Sequence, residues 1–192
     1  MGKGCSIQVW VGLFLAGFGG CYQAPELPIA EAVPFGSTFQ PCAQPRQVRV
    51  GCVLDGDTFR VGTCDPSAPS VRLLGIDAPE IAHGGQPAEC YGIEATNALA
   101  RRIEGEQVLL EFDENCYDVY NRELAWVWIL TEADGTMVAD QLINEWLVEQ
   151  GYAVRYGNSF HPSVIYQRRM DSAATYATLF NTGLWGVCTQ TP

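Results

Sequence analysis

The sequence predicts an α+β fold, a small five-stranded Greek-key β-barrel capped by three helices. Two observations carry this. Five short alternating or wholly apolar segments are bounded by Gly, Pro and Asp turns, and three stretches have helical periodicity. One helical stretch follows the third strand and two close the chain, an order that suits a small barrel with helical caps. A chain of 192 residues is long enough for one well-buried domain and too short for two ordinary ones. No internal repeat is visible.

Residues 47–54 alternate and are rich in β-formers, and Asp55-Gly56-Asp57 turns the chain into a second strand at 58–61. Asp65-Pro66 lies in a loop. The third strand is read at 71–76, stopped by Asp77-Ala78-Pro79-Glu80, and a Gly/Pro-rich surface loop follows at 83–89. Ile93, Ala95, Ala98 and Leu99 set a helix over 92–103, ended by Gly105. Strands follow at 107–112 and at 124–130, the latter (LAWVWIL) too apolar to keep a solvated face. Val138, Leu142 and Trp146 at i, i+4 and i+8 predict a second helix over 137–150, closed by Gly151, with Trp146 a core residue. A third helix over 163–180 places Tyr166, Met170, Ala173, Ala174 and Ala177 on one face.

The N-terminus reads as delivery equipment. Residues 7–18 form an apolar run after one basic residue, too short to span a bilayer but fitting a signal-peptide core. Gly19-Gly20 before Cys21 resembles a bacterial lipoprotein signal at 1–20, with Cys21 lipidated and anchoring the chain in the cell envelope; an ordinary secretory signal is the alternative. Residues 21–46 read as a Pro-rich tether to a domain at 47–192. Eight cysteines agree with export. Setting aside Cys5 and Cys21 leaves six, whose fifteen possible pairings are narrowed here to Cys52–Cys64, Cys90–Cys116 and Cys42–Cys188. No CxxC pair or His cluster at zinc spacing occurs.

The net charge is −11, and Lys3 is the only lysine. Nucleic-acid binding usually leaves a basic footprint, so any such role must rest on a local site. Asp57 and Asp77 at strand ends suit a hard divalent cation, whose ligands are carboxylate, carbonyl and water oxygens. Glu80 is placed to orient or deprotonate a water. Arg72 and Arg122 are suited to bidentate phosphate contacts. Each has a plainer reading: Asp55 as a turn residue, Arg72 as a structural ion pair with Asp77 or Glu80, Asp-Ala-Pro-Glu as a turn. Together they argue for a site, because burying these charges for stability alone gains little over apolar packing.

The motifs LDGDT, VRLLGIDAPE, YGIEA, the D-x-Y-x-R run at 118–122 followed by LAWVW, then MVADQLI, VEQGYA and GLW resemble the staphylococcal-nuclease (thermonuclease) family, in its order from about residue 47 to 186. The resemblance implies a five-stranded OB-fold barrel with three helices, and a calcium-dependent nuclease cleaving DNA or RNA. It implies calcium on Asp57, Asp77 and the Ala78 carbonyl, Arg72 and Arg122 on the phosphate, and Glu80 on the attacking water. Tyr120 and Tyr156 become candidates for contact with the nucleotide, with Phe160 a possible second to Tyr156. Two departures stand out: Val119 where a basic residue is usual, and Asn121 in place of Gly. With lysines missing, weak and steeply salt-dependent binding of nucleic acid by a monomer is expected. His83 and His161 read as loop residues. The alternative is a non-catalytic OB-fold binding module on the cell surface.

Overall fold

The computed structural model describes residues 40–157 and 164–189. The signal and lipidation readings (1–20, Cys21) and Phe160 and His161 lie outside the described residues. No described helix is long and apolar enough to cross a membrane.

Strand β1 (Arg46–Val53) pairs antiparallel with β2 (Thr58–Val61) on one side and with β5 (Gln107–Glu111) on the other. An irregularity between Val50 and Cys52 bends β1 so that it serves both neighbours. Strand β3 (Ser70–Leu73) pairs with β2, and β5 pairs with β6 (Glu123–Ala133). Three parallel residue pairs, Val71 to Glu123 through Leu73 to Ala125, then bring β3 against the start of β6. This seam is short, so the OB-type sheet curls back on itself without being laced along its whole length.

The third strand read at 71–76 is in fact broken. Gly75 takes φ 72, and the chain resumes as β4 (Ile76–Asp77), which pairs with β8 (Val154–Arg155) in a separate ribbon. Helix α1 (Gly92–Ile103) lies where the periodicity placed it and buries Ala95, Leu99 and Ile103. The helix expected over 137–150 is half strand. Residues Thr136–Leu142 form β7, antiparallel to β6, and only Ile143–Glu149 form helix α2. The cause is the turn: Asp134 and Gly135 both have positive φ, 51 and 75, the two-residue hairpin geometry that matches strand twist. The sheet therefore has six strands, in the order β3-β2-β1-β5-β6-β7. Helix α3 (Val164–Phe180) and the short α4 (Leu184–Val187) complete the chain.

Phe59, Leu73, Ile76, Leu99, Leu110, Trp126, Leu147 and Met170 are fully or almost fully buried and belong to one core between the sheet and the helices. Trp146 is only partly buried, packed on the Tyr152 ring. Asn144 is buried because it splices elements together. It accepts from the Val127 amide (2.9 Å) and donates to the carbonyls of Leu74 (2.9 Å) and Ala125 (3.3 Å), tying α2 to β6 and to the turn after β3.

The disulfides are Cys52–Cys64, Cys42–Cys116 and Cys90–Cys188, with Cα separations of 5.4, 5.6 and 5.9 Å. The pairings Cys90–Cys116 and Cys42–Cys188 are therefore corrected. Register explains the first change: Arg46 faces Leu110 in the β1–β5 ladder, so the chain before β1 runs alongside the segment after β5. The Cys42 amide donates to the Asp113 carbonyl at 2.8 Å, which leaves Cys116 within reach. Residues 42–45, read as tether, are thereby held to the sheet. Cys90, just before α1, instead takes Cys188, just after α4.

Gly56 is where the first turn meets α1. A Cβ there would fall 2.5 Å from the Ala78 Cβ and 2.9 Å from the Ala95 Cβ, closer than carbon atoms can pack. Gly56→Ala is predicted to lower unfolding free energy by about 1–3 kcal/mol through overpacking. Urea unfolding at constant m-value measures this, and an unchanged midpoint would contradict the packing described.

Candidate active site

Three strand ends build the site through register alone. Thr58 faces Arg72 in the β2–β3 ladder, and the Leu73 amide donates to the Asp57 carbonyl at 2.9 Å, so Asp57 must lie beside the Arg72 side chain. Asp77 ends β4, two residues beyond the Gly75 turn. The Arg72 guanidinium spans the two acids, with Nη1 2.9 Å from Asp57 Oδ2 and Nη2 2.7 Å from Asp77 Oδ1. Nη1 also donates to the carbonyls of Leu73 (3.1 Å) and Ile76 (3.0 Å). The structural ion pair considered for Arg72 thus exists, and it is what gathers the two carboxylates.

Asp57 is buried. Its Oδ2 accepts from the Ala78 amide (2.8 Å), and its Oδ1 from the Thr58 hydroxyl (3.0 Å). Burial pushes its carboxyl up to about 7; Arg72 opposes that rise, and neighbouring Asp55 adds to it. Asp55 itself accepts the Asp57 amide at 3.0 Å, the turn role foreseen for it. Glu80 is exposed, and its backbone is clasped by Glu89: Glu80 N donates to Glu89 Oε2 (3.0 Å), and Glu89 N to the Glu80 carbonyl (2.8 Å). Partial burial, then Asp55 and Asp77, raise the Glu80 carboxyl against the pull of Arg72.

Arg122 arrives from the other side of the seam, just before β6. Its Nε donates to Asp118 Oδ2 at 2.6 Å, its Nη1 reaches towards the Thr58 hydroxyl at 3.5 Å, and its guanidinium lies 5.4 Å over the Tyr120 ring. Asp118 Oδ1 accepts the amides of both Tyr120 and Arg122 at 2.9 Å, which shapes the loop. Burial tends to raise the Asp118 carboxyl, but these amides and the Arg122 side chain outweigh it and hold it low. Asn121 has φ 63, a conformation Asn tolerates better than most residues, so its replacement of Gly leaves the turn intact.

A cleft of about 380 Å³ joins these groups, lined by Arg72, Asp77, Asp118, Arg122, Tyr120 and Tyr156 among others. Tyr156 is half-exposed and held by its amide on the Gly75 carbonyl at 2.9 Å, beside the β4–β8 ribbon. Asp57 and Ala78 lie beneath the lining, and Glu80 lies outside it. Two residues given no role from sequence, Thr58 and Asp118, connect Asp57 to Arg122 and hold Arg122 in place. Their signals were the Thr closing the DGDT turn and the i, i+4 spacing of Asp118 and Arg122.

The class these features define is an OB-type α+β domain with two arginines and two aspartates lining one cleft. Residues 70–187 match the family model described as staphylococcal nuclease homologue. The chain is 30% identical over 157 residues to a thermonuclease of Staphylococcus hyicus, covering 82% of this chain and 86% of that protein. It is 34% identical over 101 residues to a thermonuclease of Staphylococcus intermedius, covering 53% and 54%. Over 67 residues it is 45% identical to a probable endonuclease of Saccharomyces cerevisiae, covering 33% and 23%. The chain belongs to the staphylococcal nuclease family.

The Asp57 carboxyl sets a pH dependence. Its value in the fold, about 7, exceeds the unfolded value of about 3.9, so the fold retains a proton the unfolded chain has lost. Stability from this group is full below about pH 4 and is lost as pH rises towards 7. With chelator present, urea unfolding at pH 5 and pH 7.5 is predicted to show a larger loss for the native chain than for Asp57→Asn. Equal losses in the two proteins would refute this assignment.

Proposed function

We propose that the chain is an exported, calcium-dependent nuclease that hydrolyses phosphodiester bonds of DNA or RNA. The observation that carries the reading is the Asp57–Arg72–Asp77 bridge facing Arg122 across one cleft. Family membership and nuclease-named relatives support the reaction class. Disulfides are compatible with export.

The residues fit a hard cation. Asp57, Asp77 and the Ala78 carbonyl offer only oxygen, and the raised Asp57 carboxyl marks a buried acid that Arg72 alone does not fully compensate. Among the described residues no group of three His, Cys, Asp or Glu forms a metal cluster. A cation held by two acids and a carbonyl would keep positions for water and a phosphate oxygen. Bound there, the cation would polarise the phosphate and stabilise its developing charge.

The chain's own groups supply the rest. Arg72 and Arg122 bind the non-bridging phosphate oxygens as negative charge grows on them, and Asp118 keeps the Arg122 fork aimed. Glu80, raised in proton affinity and open to solvent, takes the proton of the attacking water. Tyr120 and Tyr156 line the cleft and are exposed. The second reading, a non-catalytic OB module, draws on the acidic, lysine-poor composition and on both cleft arginines being already paired.

Cleavage of a single-stranded oligonucleotide separates the two. Activity with calcium is predicted to vanish with chelator, to fall about 10²–10⁴-fold in Glu80→Gln, and about 10²–10³-fold in Arg122→Ala. Activity that survives chelator or both substitutions sinks the mechanism.

A further inference from the structure

The six-stranded sheet is closed at one end and open at the other. Strand β3 is sealed against the start of β6 by the parallel pairs from Val71–Glu123 to Leu73–Ala125. Strand β7 has β6 as its one partner strand among the described residues. Its residues 136–140 are all exposed, so a row of backbone N–H and C=O groups along it is left to water. Such an edge is a template for another chain. Met137 and Val138, 46% and 40% exposed, fall on opposite faces of the strand and offer an added strand apolar surface on each.

Charge selects among the chains that could pair there. The β6–β7 hairpin carries Glu132, Asp134 and Asp140, none of them ion-paired among the described residues. The sequence has no Lys, Arg or His between Arg122 and Arg155. Beside β7 lies a second cleft, of about 280 Å³, which shares no lining residue with the candidate active site. Val108, Ile129 and Leu130 form its apolar part, and Arg102, Glu106 and Asp140 its charged part. Arg102 is committed within the fold, donating to the Gln141 side chain and lying 5.5 Å over the Trp146 ring. One committed cation against two acids leaves this cleft net negative. Acids on an exposed strand guard it against self-pairing, and a second copy would set these carboxylates against their like with no cation between them. The same charge favours a strand of opposite sign. We propose that β7 is a docking edge for an extended basic segment of a partner protein. The segment adds as a seventh strand, main chain to main chain, and places a Lys or Arg side chain against Glu106 and Asp140. No residue of the candidate active site takes part, so this stands independently of the nuclease reading.

The test uses the full-length, disulfide-bonded chain at about 100 mM KCl and a fluorescently labelled peptide of alternating Lys and Val, matched to the 7 residues of β7. A second peptide has the same residues with every backbone nitrogen methylated; it keeps the charge and side chains but donates no main-chain hydrogen bond. Anisotropy measures binding, and amide hydrogen exchange locates it. The unmodified peptide is expected to slow exchange at residues 136–140 and to bind at least about tenfold more tightly than the methylated one. Glu106→Gln/Asp140→Asn is expected to weaken its binding at least about fivefold while leaving the urea midpoint unchanged. Equal affinity for the two peptides, slowed exchange elsewhere than 136–140, or unchanged affinity in the double variant overturns the proposal, as does no binding at all. Protection of 136–140 that grows with protein concentration in the absence of peptide assigns the edge to a second copy and likewise overturns it.

Discussion

One guanidinium holds this site together. Arg72 sits between Asp57 from the β1–β2 turn and Asp77 from the end of β4, while also bonding the carbonyls on either side of the Gly75 turn. Removing the arginine leaves the buried Asp57 carboxyl without its ion-pair partner, a larger cost than losing a surface pair. The break in the third strand follows from the same constraint. Ile76 and Asp77 must swing away from β3 to bring Asp77 under the Arg72 fork, and the β4–β8 ribbon fixes them there with Tyr156 alongside.

The rest of the fold supports that junction. Gly56 lets α1 and Ala78 close over the turn that carries Asp57, and the Ala78 amide fixes one carboxylate oxygen. The parallel seam between β3 and β6 brings Arg122 opposite, where Asp118 shapes its loop. Cys42–Cys116 pins the segment leading into that loop, and Cys90–Cys188 ties the start of α1 to the C-terminal helix. The disulfides thus lie beside the elements that carry site residues, where constraint on the unfolded chain also restricts loop freedom.

Much of this was legible from residues. Strand ends carrying Asp57, Asp77 and Arg72 could be read because β-breakers follow hydrophobic runs, and α1 because Ala95, Ala98 and Leu99 recur on one face, although Ile93, read with them, is exposed. The second helix was misread because Val138, Leu142 and Trp146 fall at i, i+4 and i+8, while the Asp134-Gly135 turn commits the segment to a hairpin. Two disulfides were mispaired because connectivity depends on β1–β5 register, which cysteine positions do not encode. Thr58 and Asp118 gained meaning only once Arg122 was located, since a turn hydroxyl and a loop carboxylate are ordinary until a cation reaches them. Glu80 stands outside the cleft lining, so the role proposed for it draws on the family resemblance and not on contact with the cleft.

The central claim is that the Arg72-bridged acid pair is a cation site and not only a structural clasp. Calorimetric titration of calcium into the chelator-treated chain at pH 8, beside Asp57→Asn, tests it most directly. The account predicts one calcium bound per native chain, and none at the same concentrations in a folded Asp57→Asn protein. No calcium binding by the native chain, or unchanged binding in Asp57→Asn, would contradict it.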